Sequence, residues 1–127
     1  MGIQQLLLIV LSIIAVGVAV YISYNLVIYY LQTSNREQLV IQLKNLCIAA
    51  QQYYKKPKEQ GGGGGSFEGW HIPKQFSKTD DGIFRAVIKN DKINLHAIGT
   101  QIGLDNKNEV CVDATVNSKE IQIIVVN

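Results

Sequence analysis

The first 31 residues, MGIQQLLLIVLSIIAVGVAVYISYNLVIYYL (residues 1–31), decide how the rest of the chain is read. No charged side chain occurs from Met1 to Asn35, and the first charge is Arg36. All 12 basic and all 10 acidic residues of the 127-residue chain follow. A helix of a soluble domain needs a polar face toward water, so charge is not segregated this way in such a domain. From Leu6 to Ile22 the only polar residue is Ser12, and the uncharged run continues past Ser23 and Asn25 to Leu31. A membrane span needs about 20 mainly apolar residues at about 1.5 Å each. The segment qualifies as a transmembrane helix. Nothing basic precedes it, it exceeds the length of a secretory h-region, and it passes straight into further helix, all of which argue against a cleaved signal peptide.

Working outward, the next residues extend the same helix but change its character. Between Gly2 and Lys56 there is no proline, and Gly17 is the only internal glycine. Leu39, Leu43, Leu46, Ala50 and Tyr53 recur at steps of three and four, with Cys47 and Tyr54 beside them. Arg36, Glu37, Lys44, Gln51 and Lys55 lie mostly off that stripe. This is the period of a helix with one buried face. Lys55, Lys56 and Lys58 suit a helix C-terminus, and Pro57 stops the pattern. A helix of about 55 residues, about 80 Å long, implies a membrane span, a coiled coil or a filament core. Residues 1–31, apolar all round, require lipid or other helices on every side, whereas residues 32–57 require one partner surface.

Gly61 to Gly65, closed by Ser66, reads as a flexible connector within a 58–66 linker, and an engineered connector would read the same. A phosphate-binding loop is not indicated, because no Lys-Ser or Lys-Thr pair follows the run. Residues 67–127 read as an antiparallel sheet. Phe67 to Ile72 is a short strand or loop edge ended by Pro73. Ile83–Lys89 and Lys92–Ile98 flank an Asn90-Asp91 turn, and Glu109–Val116 and Glu120–Val126 flank Asn117-Ser118. Four strands in a meander need a cover on one face, and the 36–56 stripe is the only large apolar surface to supply it. The expected fold is therefore α+β: a long N-terminal α-helix, apolar then amphipathic, packed on a four-stranded antiparallel sheet.

That layout, with the start Met1-Gly2-Ile3-Gln4-Gln5-Leu6-Leu7-Leu8-Ile9-Val10, resembles the type IV pilins and pseudopilins. In that family a peptidase removes a basic leader and leaves an N-methylated phenylalanine or methionine as the first residue, a role that Met1 fits. The family's usual glutamate at the fifth position is Gln5 here, which still accepts a hydrogen bond from an amine, though more weakly than a carboxylate. Its frequent proline near position 22 is replaced by Ile22, leaving Gly17 as the point where the helix could bend. The resemblance implies a homopolymer assembled through Gln5, Leu6, Leu7, Leu8, Ile9, Val10, Leu11, Ile13 and Ile14. The small residues Ala15, Gly17 and Ala19 would permit close helix approach. It further implies partners in the inner membrane before assembly, a pilus assembly machinery that extracts the subunits, and an extracellular filament on the cell surface.

Other residues carry less. Cys47 and Cys111 are the only cysteines, and an exported pair invites a disulfide; the alternation of Val110 and Val112 sets Cys111 on the far face of its strand, so a Cys47–Cys111 disulfide and two free thiols are both open readings. His71 and His96 have no cysteine or carboxylate at ligand spacing, so no metal site or cofactor is expected. No serine stands in a nucleophile motif, and no enzyme activity is expected. Trp70 beside Phe67 is read as core or cap, with a subunit contact as the alternative. Tyr21, Tyr24, Tyr29 and Tyr30 read as an interfacial aromatic belt. The net charge of +2 is of mixed sign and points to no nucleic-acid partner. Two other functions suit the same architecture: a single-pass anchored β domain that binds a partner, and a minor pseudopilin of a secretion system.

Overall fold

A computed structural model describes residues 2–127. Helix α1 runs over Gly2–Lys55, and the chain divides between Leu31 and Gln32 into two compact units. After a 3-10 turn at Lys58–Gln60 come a short helix α2 at Lys74–Ser77 and five strands. These are β1 at Lys78–Thr79, β2 at Gly82–Ile88, β3 at Lys92–Ile102, β4 at Glu109–Asn117 and β5 at Ile121–Val125. They form one antiparallel meander in the order β1-β2-β3-β4-β5. The fold is α+β as expected, with one strand more than the four read from alternation. The extra strand, β1, has two residues paired with Ile83 and Gly82, too few to show any period. Residues 67–72 form no strand; Phe67 and Trp70 instead enter the core from irregular chain.

The second half of α1 covers one face of the sheet. Leu39, Leu43, Leu46, Cys47 and Ala50 are buried against Phe84, Ile93, Leu95, Ala97, Val110, Val112, Ala114 and Val116. Strand β4 shows the reason plainly: its alternate residues Val110, Val112, Ala114 and Val116 are buried while Cys111, Asp113 and Thr115 are half-buried on the other face. The turns match the expected positions. Lys89 donates to the Lys92 carbonyl across Asn90-Asp91, and Asn117 to the Glu120 carbonyl.

The glycine run is more ordered than a slack connector. The amides of Gly63, Gly65 and Gly64 donate to the carbonyls of Tyr53, Tyr54 and Lys56 at 2.8, 2.9 and 2.9 Å. These are carbonyls that the end of a helix leaves without partners. Gly61 begins the wrap at φ 85, a left-handed conformation that glycine adopts without a Cβ penalty. Sequence composition shows a run of glycines as freedom; here that freedom lets the backbone close over the helix end.

One polar residue is placed in the core boundary with a clear task. The β3–β4 register shifts between Ile98 and Ile102, which removes backbone amides from the ladder. The buried Asn35 of α1 meets them: its Oδ1 accepts from the amides of Thr100 and Gln101 at 3.2 and 3.4 Å, and its Nδ2 donates to the Asp81 carbonyl at 2.8 Å. A Cβ at Gly99 would collide with that Oδ1, so a glycine lies beneath the contact. Asn35→Ala strands three backbone groups and is expected to destabilise residues 32–127 by about 2 kcal/mol. The urea midpoint of Trp70 emission measures it, since Trp70 is the only tryptophan and is buried; an unchanged midpoint would contradict the role given to Asn35.

Candidate functional site

The residues expected to drive assembly share a property rather than a pocket. Gln5 through Leu11, Ile13, Ile14, Ala15, Gly17 and Ala19 all lie on α1 and are exposed, and so is every other described residue up to Leu31. Leu6, Leu7 and Leu8 are each 63% exposed, values that belong to solvent-facing lysines in an ordinary helix. The helix is long and apolar enough to cross a membrane. Two of its polar side chains are turned on their own backbone. The Ser12 hydroxyl donates to the Leu8 carbonyl at 2.7 Å and Asn25 Nδ2 to the Tyr21 carbonyl at 3.1 Å. Both bonds satisfy a polar group within the helix itself, without water. Ser12, Ala15, Ala19 and Ser23 fall on one face by helical spacing, and Gly17 on the opposite one. Nothing approaches Gly17 within this chain. Met1, the expected site of processing and methylation, lies outside the described residues.

The flank of the apolar run carries the first charge of the chain, Arg36. The Nε and Nη2 atoms of Arg36 are buried without a hydrogen-bond partner among the described residues. A guanidinium is a planar fork of donors that pairs with the oxygens of a carboxylate or a phosphate.

The cysteines do not form a disulfide. Cys47 is fully buried under the sheet, and burial raises its thiol pKa to about 11. Cys111 stands on the opposite face of β4, so the sheet itself separates the two. The expectation of no metal-ligating neighbours for His96 is also corrected. His96 of β3 is the direct register partner of Asp113 of β4, and Cys111 is two residues before Asp113 on the same face. His96 Nδ1 bonds to Asp113 Oδ1, and Cys111 Sγ lies 3.7 Å from Nδ1 and 3.5 Å from Nε2. Burial and then the charge of Asp113 push the Cys111 thiol up. Asp105, in the β3–β4 loop, accepts from the Lys107 and Asn108 amides at 2.9 Å each, which holds its carboxyl well below the usual range. Asn127 bonds Asp105 and the Asn108 and Glu109 carbonyls, closing that loop.

The chain matches no protein-family model, no curated protein and no solved structure.

Proposed function

We propose that this chain is the structural subunit of an extracellular, type IV pilus-like filament and carries out no chemical step of its own. The observation that supports it most is the exposed, charge-free helix of residues 2–31, joined without a break in α1 to a segment that completes a folded α+β domain. Such a helix needs an apolar environment on all sides. The membrane supplies one before assembly, and the same helices of other copies supply another in the filament. An assembly machinery outside this chain transfers subunits from the first environment to the second. Close packing in either direction uses the small-residue face of Ser12, Ala15, Ala19 and Ser23. Gln5 hydrogen-bonds the N-terminal amine of a neighbour in place of the ion pair that a glutamate would make.

Electron microscopy of material sheared from the cell surface, joined to intact-mass analysis of the subunit, tests the reading. Uniform filaments built from a chain that starts at N-methylated Met1 are the expected result. An unmodified chain, recovered only from detergent-solubilised membranes and without filaments, would replace the proposal with that of an anchored binding domain.

A further inference from the structure

We infer that His96, Cys111 and Asp113 form a binding site for a single transition-series divalent cation of the zinc class on the outer face of the sheet. The three side chains converge because β3 and β4 are antiparallel neighbours in a fixed register: His96 faces Asp113 across the ladder, and the pleat returns Cys111 to the same side two residues away. Their ligand atoms all lie within 4.8 Å of one another. Tetrahedral ligands at zinc bond lengths of about 2.0–2.3 Å are separated by about 3.5 Å. The distances of 3.7 and 3.5 Å from the thiol sulfur to the imidazole nitrogens already meet that spacing. Small rotations of the half-exposed His96 and Asp113 open the remaining contact to admit an ion. The strand backbones, paired on both sides, hold the three Cα positions while this happens.

The donor set selects the metal. One sulfur, one imidazole nitrogen and one carboxylate oxygen suit zinc and its neighbours, whereas magnesium and calcium take oxygen ligands. A thiolate and a carboxylate together neutralise a dication, so the neighbouring Arg85, opposite His96 on β2, faces no net positive charge. Three protein ligands leave a fourth position open to water or to a donor from another molecule. Because the site bridges β3 and β4, the bound ion clamps the two central strands on the face opposite the helix. All three ligands belong to one copy of the chain, so the site forms with or without polymerisation.

The full chain in detergent micelles, stripped with a chelator, is titrated with cobalt(II) and then with zinc(II). One equivalent of cobalt is expected to bind with a thiolate-to-metal charge-transfer band and the strong visible absorption of a tetrahedral complex, and zinc is expected to displace it. Cys111→Ser removes the charge-transfer band. His96→Gln and Asp113→Asn each weaken cobalt binding at least tenfold, while Cys47→Ala, at the buried thiol, leaves the spectrum intact. Trp70 emission verifies folding of every variant, and the two half-exposed positions remain informative if Cys111→Ser fails to fold. Absence of the band, its loss in Cys47→Ala instead, or unchanged affinity in both His96→Gln and Asp113→Asn would overturn the site.

Discussion

Val10→Asp is expected to abolish filaments altogether while leaving residues 32–127 folded. Val10 sits within the charge-free run and its side chain is exposed on the helix. A carboxylate at the centre of a membrane-spanning helix costs about 2.5–3.5 kcal/mol on insertion scales. Inside a packed bundle of identical helices it has neither water nor a cation to pair with, and burying such a lone charge costs several kcal/mol. A filament repeats the cost in every subunit, so the loss is cooperative and not graded. Val10→Leu preserves apolar character and is expected to assemble. The comparison is made by electron microscopy of sheared material, with Trp70 emission reporting on the domain. Filaments of normal abundance from the aspartate chain would mean that residues 2–31 are not the assembly core.

The second large effect lies in the other unit. Leu43→Ala is expected to lower the stability of the domain by about 3 kcal/mol, within the range of about 2–5 kcal/mol for truncating a buried leucine. Leu43 has no exposed surface and is the middle of the stripe that closes the sheet. The loss is a substantial fraction of the roughly 5–15 kcal/mol that holds a domain together. It corresponds to a fall in melting temperature of roughly 12–24 °C for a domain of this size. Ile41 on the same helix is 51% exposed, and Ile41→Ala is expected to change stability by no more than about 0.5 kcal/mol. Urea unfolding of the full chain followed by Trp70 emission separates the two. Equal effects at Leu43 and Ile41 would show that this face of α1 does not carry the core.

Both predictions rest on patterns visible along the chain, and the contrast between them shows what kind of information a sequence holds. The buried stripe at Leu39, Leu43, Leu46, Cys47 and Ala50 is readable because a helix repeats every 3.6 residues, whatever it packs against. The alternation of Val110, Val112, Ala114 and Val116 is readable for the same reason at period 2, and it also placed Cys111 away from the core. The two-residue β1 escapes because it is shorter than any period. Residues 67–72 look strand-like in composition, yet Phe67 and Trp70 are held by core packing and not by a ladder. The glycine run from Gly61 to Gly65 reads only as freedom, since the carbonyls that fix it belong to Tyr53, Tyr54 and Lys56 of the preceding helix end.

The cation site marks the limit most clearly. Alternation alone assigns His96 to one strand face and Cys111 and Asp113 to another strand's face, but 15 and 17 residues separate them in sequence. Only the β3–β4 register decides that they meet, because a one-residue slip would send one set to the opposite side of the sheet. Asn35 is similar: nothing local says that its amide will serve two backbone amides freed by a bulge 65 and 66 residues away. By itself, then, the sequence determined the charge-free helix, its amphipathic continuation and the antiparallel sheet, since each follows from a local repeat of polarity. The tertiary structure decided which distant groups become neighbours, since that depends on strand register and packing, which no single segment encodes.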